Sequence, residues 1–189
     1  LLFRWEVSGR AHVPASGPVV VCANHRSYWD PPVVGCALPR PVWFMAKEDL
    51  FRNPLFGRLI TALGAFPVRR GQADLAALRR ALALLREGRA VVVFPEGRRV
   101  FGEEVADGRA GAVLLAAATG APIVPVAICG RPVPFRRLRV RIGAPIDVRE
   151  WLPPGRPTAR DLASVANEVV MRRIRELLEE KPVAGARAG

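Results

Sequence analysis

The stretch VVVCANHRSYWDPP, residues 19–32, decides how the chain folds. Val19 to Ala23 is an unbroken apolar run, which reads as a strand buried on both faces. Asn24 and His25 then fall just beyond the strand's carboxyl end, where open α/β sheets place their ligand sites. Asp30 stands directly before Pro31, and proline is favoured in the first turn of a helix, so Asp30 reads as the N-cap of a short helix. The loop between can fold back and bring the Asp30 carboxylate onto one imidazole nitrogen of His25. That contact would fix the tautomer, leave the other nitrogen as a base and stabilise the imidazolium. Taken alone, the pair reads equally well as a loop histidine beside a simple helix cap.

Outward from this stretch, short apolar runs alternate with longer helical patterns, which argues for one α/β domain with a central, mostly parallel mixed sheet flanked by helices. Further strands are expected over 42–45, 90–94, 123–128 and 138–142. Leucines at 75, 78, 82 and 85 mark a helix over 74–87, closed by Gly88. A second helix is expected over 109–119, ended by Gly120. A long one is expected over 158–180, opened by Thr158 with Asp161 in a capping box. The domain is expected to span residues 1–181, with 182–189 a disordered tail.

The 189 residues, 50% of them hydrophobic, suffice for a single sizeable core. A net charge of +12 predicts attraction to something anionic: a membrane surface, a nucleic acid or a phosphorylated substrate. Aromatic residues make up only 7% and are not interleaved with basic ones as a single-strand platform requires, so nucleic acid is not expected as a partner. Three widely spaced cysteines suggest neither a disulfide framework nor a zinc site, and no metal is expected. The opening LLFRWEVSG has no methionine, so a further N-terminal segment, of a membrane-binding kind, is expected ahead of it.

A second loop, FPEGRR at 94–99, follows the strand over 90–94. Its proline and glycine shape a tight turn, Glu96 adds a carboxylate, and Arg98 and Arg99 offer guanidinium forks suited to phosphate. By itself it reads equally as a polar turn with solvated arginines. Lys47, and Arg69 with Arg70 after GAFPV, are further basic candidates at element ends. No G-x-S-x-G elbow is present, which suggests that the substrate supplies the attacking hydroxyl.

Four segments in order, NHRSYWD, GAFPVRRG, FPEGRR and APIVPVAI, make the chain resemble the glycerolipid acyltransferases of the 1-acylglycerol-3-phosphate acyltransferase type, the first matching that family's N-H-x(4)-D block. The intervening MAKEDLFRNPLFG is similar to the family too. The resemblance implies a glycerol-3-phosphate acyltransferase-like fold. It implies that His25, oriented by Asp30, deprotonates an acceptor hydroxyl as that oxygen attacks an acyl thioester, with no acyl-enzyme. It implies acyl-CoA or acyl carrier protein as donor, no bound cofactor, and lysophosphatidate as acceptor, with another lyso-lipid or alcohol as the alternative. Glu96 and Gly97 match the third block and are expected to shape the acceptor site; Lys47, Arg70 and Arg99 are the expected phosphate ligands. The chain departs from the family pattern at Arg98 and Val100, where a small hydroxyl residue and a serine are usual, and at Arg69, commonly acidic.

Such a substrate lives in a bilayer, so a peripheral or monotopic site on the cytoplasmic face of the cell membrane, with an anionic surface as partner, is expected. The segment 50–64 reads either as an interfacial helix or as one packed on the sheet.

Overall fold

A computed structural model describes residues 4–69, 74–99, 105–130 and 137–180. Seven strands form one sheet: β1 (Arg4–Ser8), β2 (Val19–Ala23), β3 (Val42–Lys47), β4 (Ala65–Val68), β5 (Ala90–Val93), β6 (Ile123–Cys129) and β7 (Arg137–Ile142). Their spatial order is β1-β7-β6-β2-β5-β3-β4. β6, β2, β5, β3 and β4 run parallel, while β7 lies antiparallel to β6 and parallel to β1. β2 is therefore central, and every one of its residues is buried.

The pleat of β2 divides the interior. Val20 and Cys22 face a layer built from α3 (Leu75–Arg86), α4 (Gly111–Thr119) and the C-terminal helix. Val19, Val21 and Ala23 face a second layer that includes Val33, Val34 and Ala37 of α1 (Asp30–Ala37). Covering both faces is what a continuous valine run requires.

The helix ends follow from local chemistry. Asp74 Oδ1 accepts from the N–H groups of Ala76 and Ala77, each at 3.0 Å, and so starts α3. Thr158 and Asp161 form the expected capping box, at 3.2 and 2.8 Å. The long helix that follows runs as α5 (Ala159–Val165), a π-helical segment (Ala166–Met171) and α6 (Arg172–Glu179), and not as one regular α-helix. The irregularity coincides with Asn167, whose amide bonds both backbone groups of Gly108, N–H to Oδ1 at 2.7 Å and Nδ2–H to the carbonyl at 3.2 Å, while Nδ2 also donates to the Ala163 carbonyl of its own helix at 3.0 Å.

Two elements differ from the sequence reading. β1 was not expected; it is a five-residue edge strand, one of only two running against the others. β4 contains Pro67, which a central strand would not tolerate, and it forms the opposite edge. The expected tail, 182–189, lies outside the described residues.

Between β3 and β4, α2 (Pro54–Ala62) is capped by Asn53, whose Oδ1 accepts from Leu55 N and Phe56 N. Its only buried residue is Gly57. No α2 side chain belongs to either core layer. Leu55, Phe56 and Leu59, together with Leu63 at its end, are exposed, and at 100° per residue they share the side away from Gly57. Of the two readings open for 50–64, the helix packed on the sheet is thereby set aside.

Candidate active site

The carboxyl ends of β6, β2 and β5 are adjacent, and the chemistry gathers there. Asn24 is nearly fully buried, and its amide makes a reciprocal pair with Ile128 at the end of β6. Oδ1 accepts from the Ile128 N–H at 2.7 Å, and Nδ2 donates to the Ile128 carbonyl at 3.2 Å. The amide thus takes the place of the next ladder hydrogen bonds and lets the chain turn away from the sheet without orphaned backbone groups.

His25 follows and is buried. Its N–H donates to Glu96 Oε1 at 2.8 Å, and its ring stacks on Phe94 with centroids 4.2 Å apart. Nδ1 donates to Asp30 Oδ2 at 2.9 Å. Engagement of Nδ1 assigns the proton to that nitrogen and leaves Nε2 as the basic atom.

Asp30 is where the sequence reading needs correction. It does not cap α1 from the N-cap position; it is the first helical residue, Trp29 holds the N-cap position, and no side chain caps the helix. The carboxylate points backwards instead: Oδ2 accepts from Arg26 N and Ser27 N, both at 2.6 Å, as well as from His25 Nδ1. A loop four residues long leaves two amides converging on one oxygen, and charge-assisted bonds to an ionised acceptor outweigh a neutral forward cap. The expected fold-back onto His25 is therefore present.

The second loop buttresses the first. Phe94 to Gly97 turns tightly, with Gly97 N–H on the Phe94 carbonyl at 3.0 Å and Gly97 at φ 68°. A Cβ there would lie 2.7 Å from Nε of the flexible Arg109 side chain, which can shift, so it is the positive φ that favours glycine. Glu96 is buried, its other oxygen accepting from Ala106 N at 3.4 Å. Burial raises the Glu96 carboxyl above its ordinary value, and the His25 and Ala106 N–H groups offset this in part. Sequence reasoning gave Glu96 a place in the acceptor site; the geometry gives it a grip on the backbone of the histidine.

The basic candidates do not share one environment. Arg99 lies with its guanidinium carbon 3.5 Å from the centroid of the Tyr28 ring, so it is joined to the histidine loop itself. Lys47 ends β3, two strands or about 10 Å of sheet from β2, and its ammonium pairs with Asp49. Arg69 pairs with Glu48 at 3.0 and 3.3 Å, which accounts for the basic residue at that position. Arg98 is exposed, and Arg70 lies outside the described residues. Phe94 and Tyr28 are contributors that sequence reasoning missed, and Asn24, placed at the strand end, was given no role. Only the position of Asn24 at a strand end could have pointed to it.

His12, the second histidine, donates Nδ1–H to the Ile142 carbonyl at 2.8 Å. Burial pushes the thiols of Cys22 and Cys129 up, so neither is held as a thiolate.

A hydrogen-bonded His/Asp pair thus sits at the carboxyl rim, with a buried glutamate behind it and an arginine stacked on its loop. The family model described as Acyltransferase matches residues 4–129, and the chain belongs to that family. It is 31% identical over 179 residues to the 1-acyl-sn-glycerol-3-phosphate acyltransferase of Bacillus subtilis, covering 91% of this chain and 87% of that one. It is 30% identical over 165 residues to the enzyme of the same name from Streptococcus pneumoniae, covering 79% of this chain; the match spans 61% of that relative's length. The crystal structure of PlsC, the 1-acyl-sn-glycerophosphate (LPA) acyltransferase of Thermotoga maritima, superposes with a TM-score of 0.74 at 27% identity, covering 96% of this chain and 75% of that one.

Proposed function

We propose that this protein transfers a fatty acyl group from an acyl thioester to the free hydroxyl of 1-acylglycerol-3-phosphate, forming phosphatidate. The observation that carries the reading is the His25 ring, held at Nδ1 by Asp30 and at its backbone by Glu96, in a chain that belongs to the Acyltransferase family. Nε2 takes the proton of the acceptor hydroxyl as its oxygen forms a bond to the thioester carbonyl carbon. The tetrahedral adduct collapses with cleavage of the C–S bond, and the proton on His25 goes to the departing thiolate. Asp30 stabilises the imidazolium while it exists. The departing thiol is that of coenzyme A or of acyl carrier protein, and Lys47, Arg70 and Arg99 are the cations offered to the acceptor phosphate.

Because the acceptor is a lipid, the protein works at a bilayer. Among the described residues no helix is long and apolar enough to cross one. The outward apolar face of α2, with Arg52 and Arg58 beside it, suits a helix lying in an anionic headgroup layer on the cytoplasmic side.

The test is a donor-by-acceptor screen of purified protein in detergent or vesicles, read as phosphatidate formed. Turnover of lysophosphatidate with either donor supports the reading. Turnover only of acceptors without a phosphomonoester overturns it in favour of another lyso-lipid or alcohol.

A further inference from the structure

We propose that Tyr28 is a positioning residue for the acceptor anion, its ring holding the guanidinium of Arg99 face-on so that only the terminal N–H edge meets the phosphate. This rests on the acceptor assigned above. Tyr28 lies within the four-residue loop between His25 and Asp30, and it is 73% exposed at the rim. A tyrosine so placed contributes nothing to either core, yet its ring lies 3.5 Å from the Arg99 guanidinium carbon, in cation–π contact. Arg99 Nε is closed off from solvent and has no hydrogen-bond partner among the described residues. With one face covered by the ring and Nε shut away, the two terminal nitrogens are the part of the fork left to bind an anion.

The stack also has a fixed relation to the base. Tyr28 stands on a loop tied by the Arg26 and Ser27 N–H groups to the same Asp30 oxygen that holds His25 Nδ1. Arg99 stands three residues after Glu96, which holds the His25 backbone. The Tyr28–Arg99 contact closes a ring of interactions between the two loops. The distance from guanidinium to Nε2 is thereby set by the protein before substrate arrives. In a lysophosphatidate the phosphate and the free hydroxyl are separated by a few bonds, so holding the charge places the hydroxyl.

The experiment is steady-state kinetics on lysophosphatidate in mixed micelles with Tyr28→Ala, Tyr28→Phe, Arg99→Ala and the Tyr28→Ala/Arg99→Ala pair, each checked for an unchanged thermal midpoint. Tyr28→Ala is expected to raise KM about two- to fivefold with a much smaller change in kcat, the range of an exposed cation–π contact. Tyr28→Phe keeps the ring and should stay near the wild-type KM. In the Arg99→Ala background Tyr28→Ala should add nothing, because its only route to the phosphate is gone. Additive effects, a Tyr28→Phe protein as impaired as Tyr28→Ala, or an unchanged KM in Tyr28→Ala would each overturn the role of Tyr28 while leaving the acceptor assignment intact. A wild-type protein that ignores lysophosphatidate but acylates uncharged acceptors overturns both.

Discussion

The carboxyl ends of β2 and β3 reach the same rim at the same level, yet they are organised in opposite ways. After β2, Asn24, His25 and Asp30 are buried, and their hydrogen bonds run to backbone groups of β6, to Glu96 after β5 and to their own loop. After β3, the charges of Lys47, Glu48 and Asp49 lie in solvent and pair with each other and with Arg69 after β4. Both strands have neighbours on either side, but those of β2 bring Ile128 and the Glu96 loop to its end, whereas β3 lies next to the edge strand β4 and its end meets exposed charges. The first arrangement is preorganised for chemistry, and the second is a set of weak pairs that a ligand can exchange.

The sharpest way to break this comparison is at the base. His25→Ala should fold and lose about a hundredfold to ten-thousandfold in acyl transfer, the range for a general base. Asp30→Asn should lose less, because the imidazole is kept while its orientation and charge stabilisation are weakened. Near-normal turnover in folded His25→Ala protein would sink the mechanism. So would an acyl group trapped covalently on Ser27 or a cysteine.

The anion side gives the next largest effect and grades the two rims against each other. Arg99→Ala should lower kcat/KM for lysophosphatidate at least about tenfold, one charge-assisted hydrogen bond, while changing hydrolysis of the donor thioester by water much less. Lys47→Ala should cost less than Arg99→Ala, since the Lys47 charge is already partly neutralised by Asp49. A larger loss at Lys47 than at Arg99 would reverse the ranking and make the β3 end the main phosphate site. A smaller effect still is expected away from the rim: Leu59→Glu on α2 should weaken binding to anionic vesicles by several-fold without altering the thermal midpoint, because that side chain packs on neither core. Unchanged binding would remove α2 from the lipid contact.

What the sequence made legible follows the range of the interactions concerned. The valine run of β2, the Asp74 and Gly88 ends of α3 and the capping box at Thr158 are settled within a few residues, and all stand where their local patterns put them. The His25–Asp30 contact was legible for the same reason, spanning five positions. The direction of the Asp30 carboxylate was not, because forward capping and backward bonding use the same residue and differ only in how the loop turns. Asn24 with Ile128, 104 positions apart, and Asn167 with Gly108, 59 apart, leave no local trace. Motif order made Lys47, Arg70 and Arg99 look equivalent, whereas the strand order separates β3 from β2 by β5.

The smallest effects, in stability against pH, test the two rims with opposite signs. Burial raises the Glu96 carboxyl above its ordinary value, so between the unfolded and folded values the native state holds more protons than the unfolded chain. Stability must then fall as pH rises through that window, and the penalty is complete above it. Asp49 is the reverse case: the Lys47 ammonium holds its carboxyl below the ordinary value, so its contribution is present above that value and lost as pH falls. Glu96→Gln carries a constant handicap, since an amide nitrogen facing the Ala106 N–H cannot accept from it. Its midpoint relative to wild type should nevertheless improve as pH climbs across the carboxylate range. Asp49→Asn should worsen relative to wild type over its own window, and only slightly, because both partners of that pair are exposed. Thermal midpoints of the three proteins at closely spaced pH values give both slopes. A flat or falling difference for Glu96→Gln would mean that the buried carboxylate is fully compensated by its two N–H donors, and the contrast between the rims would then lie in hydrogen bonding alone.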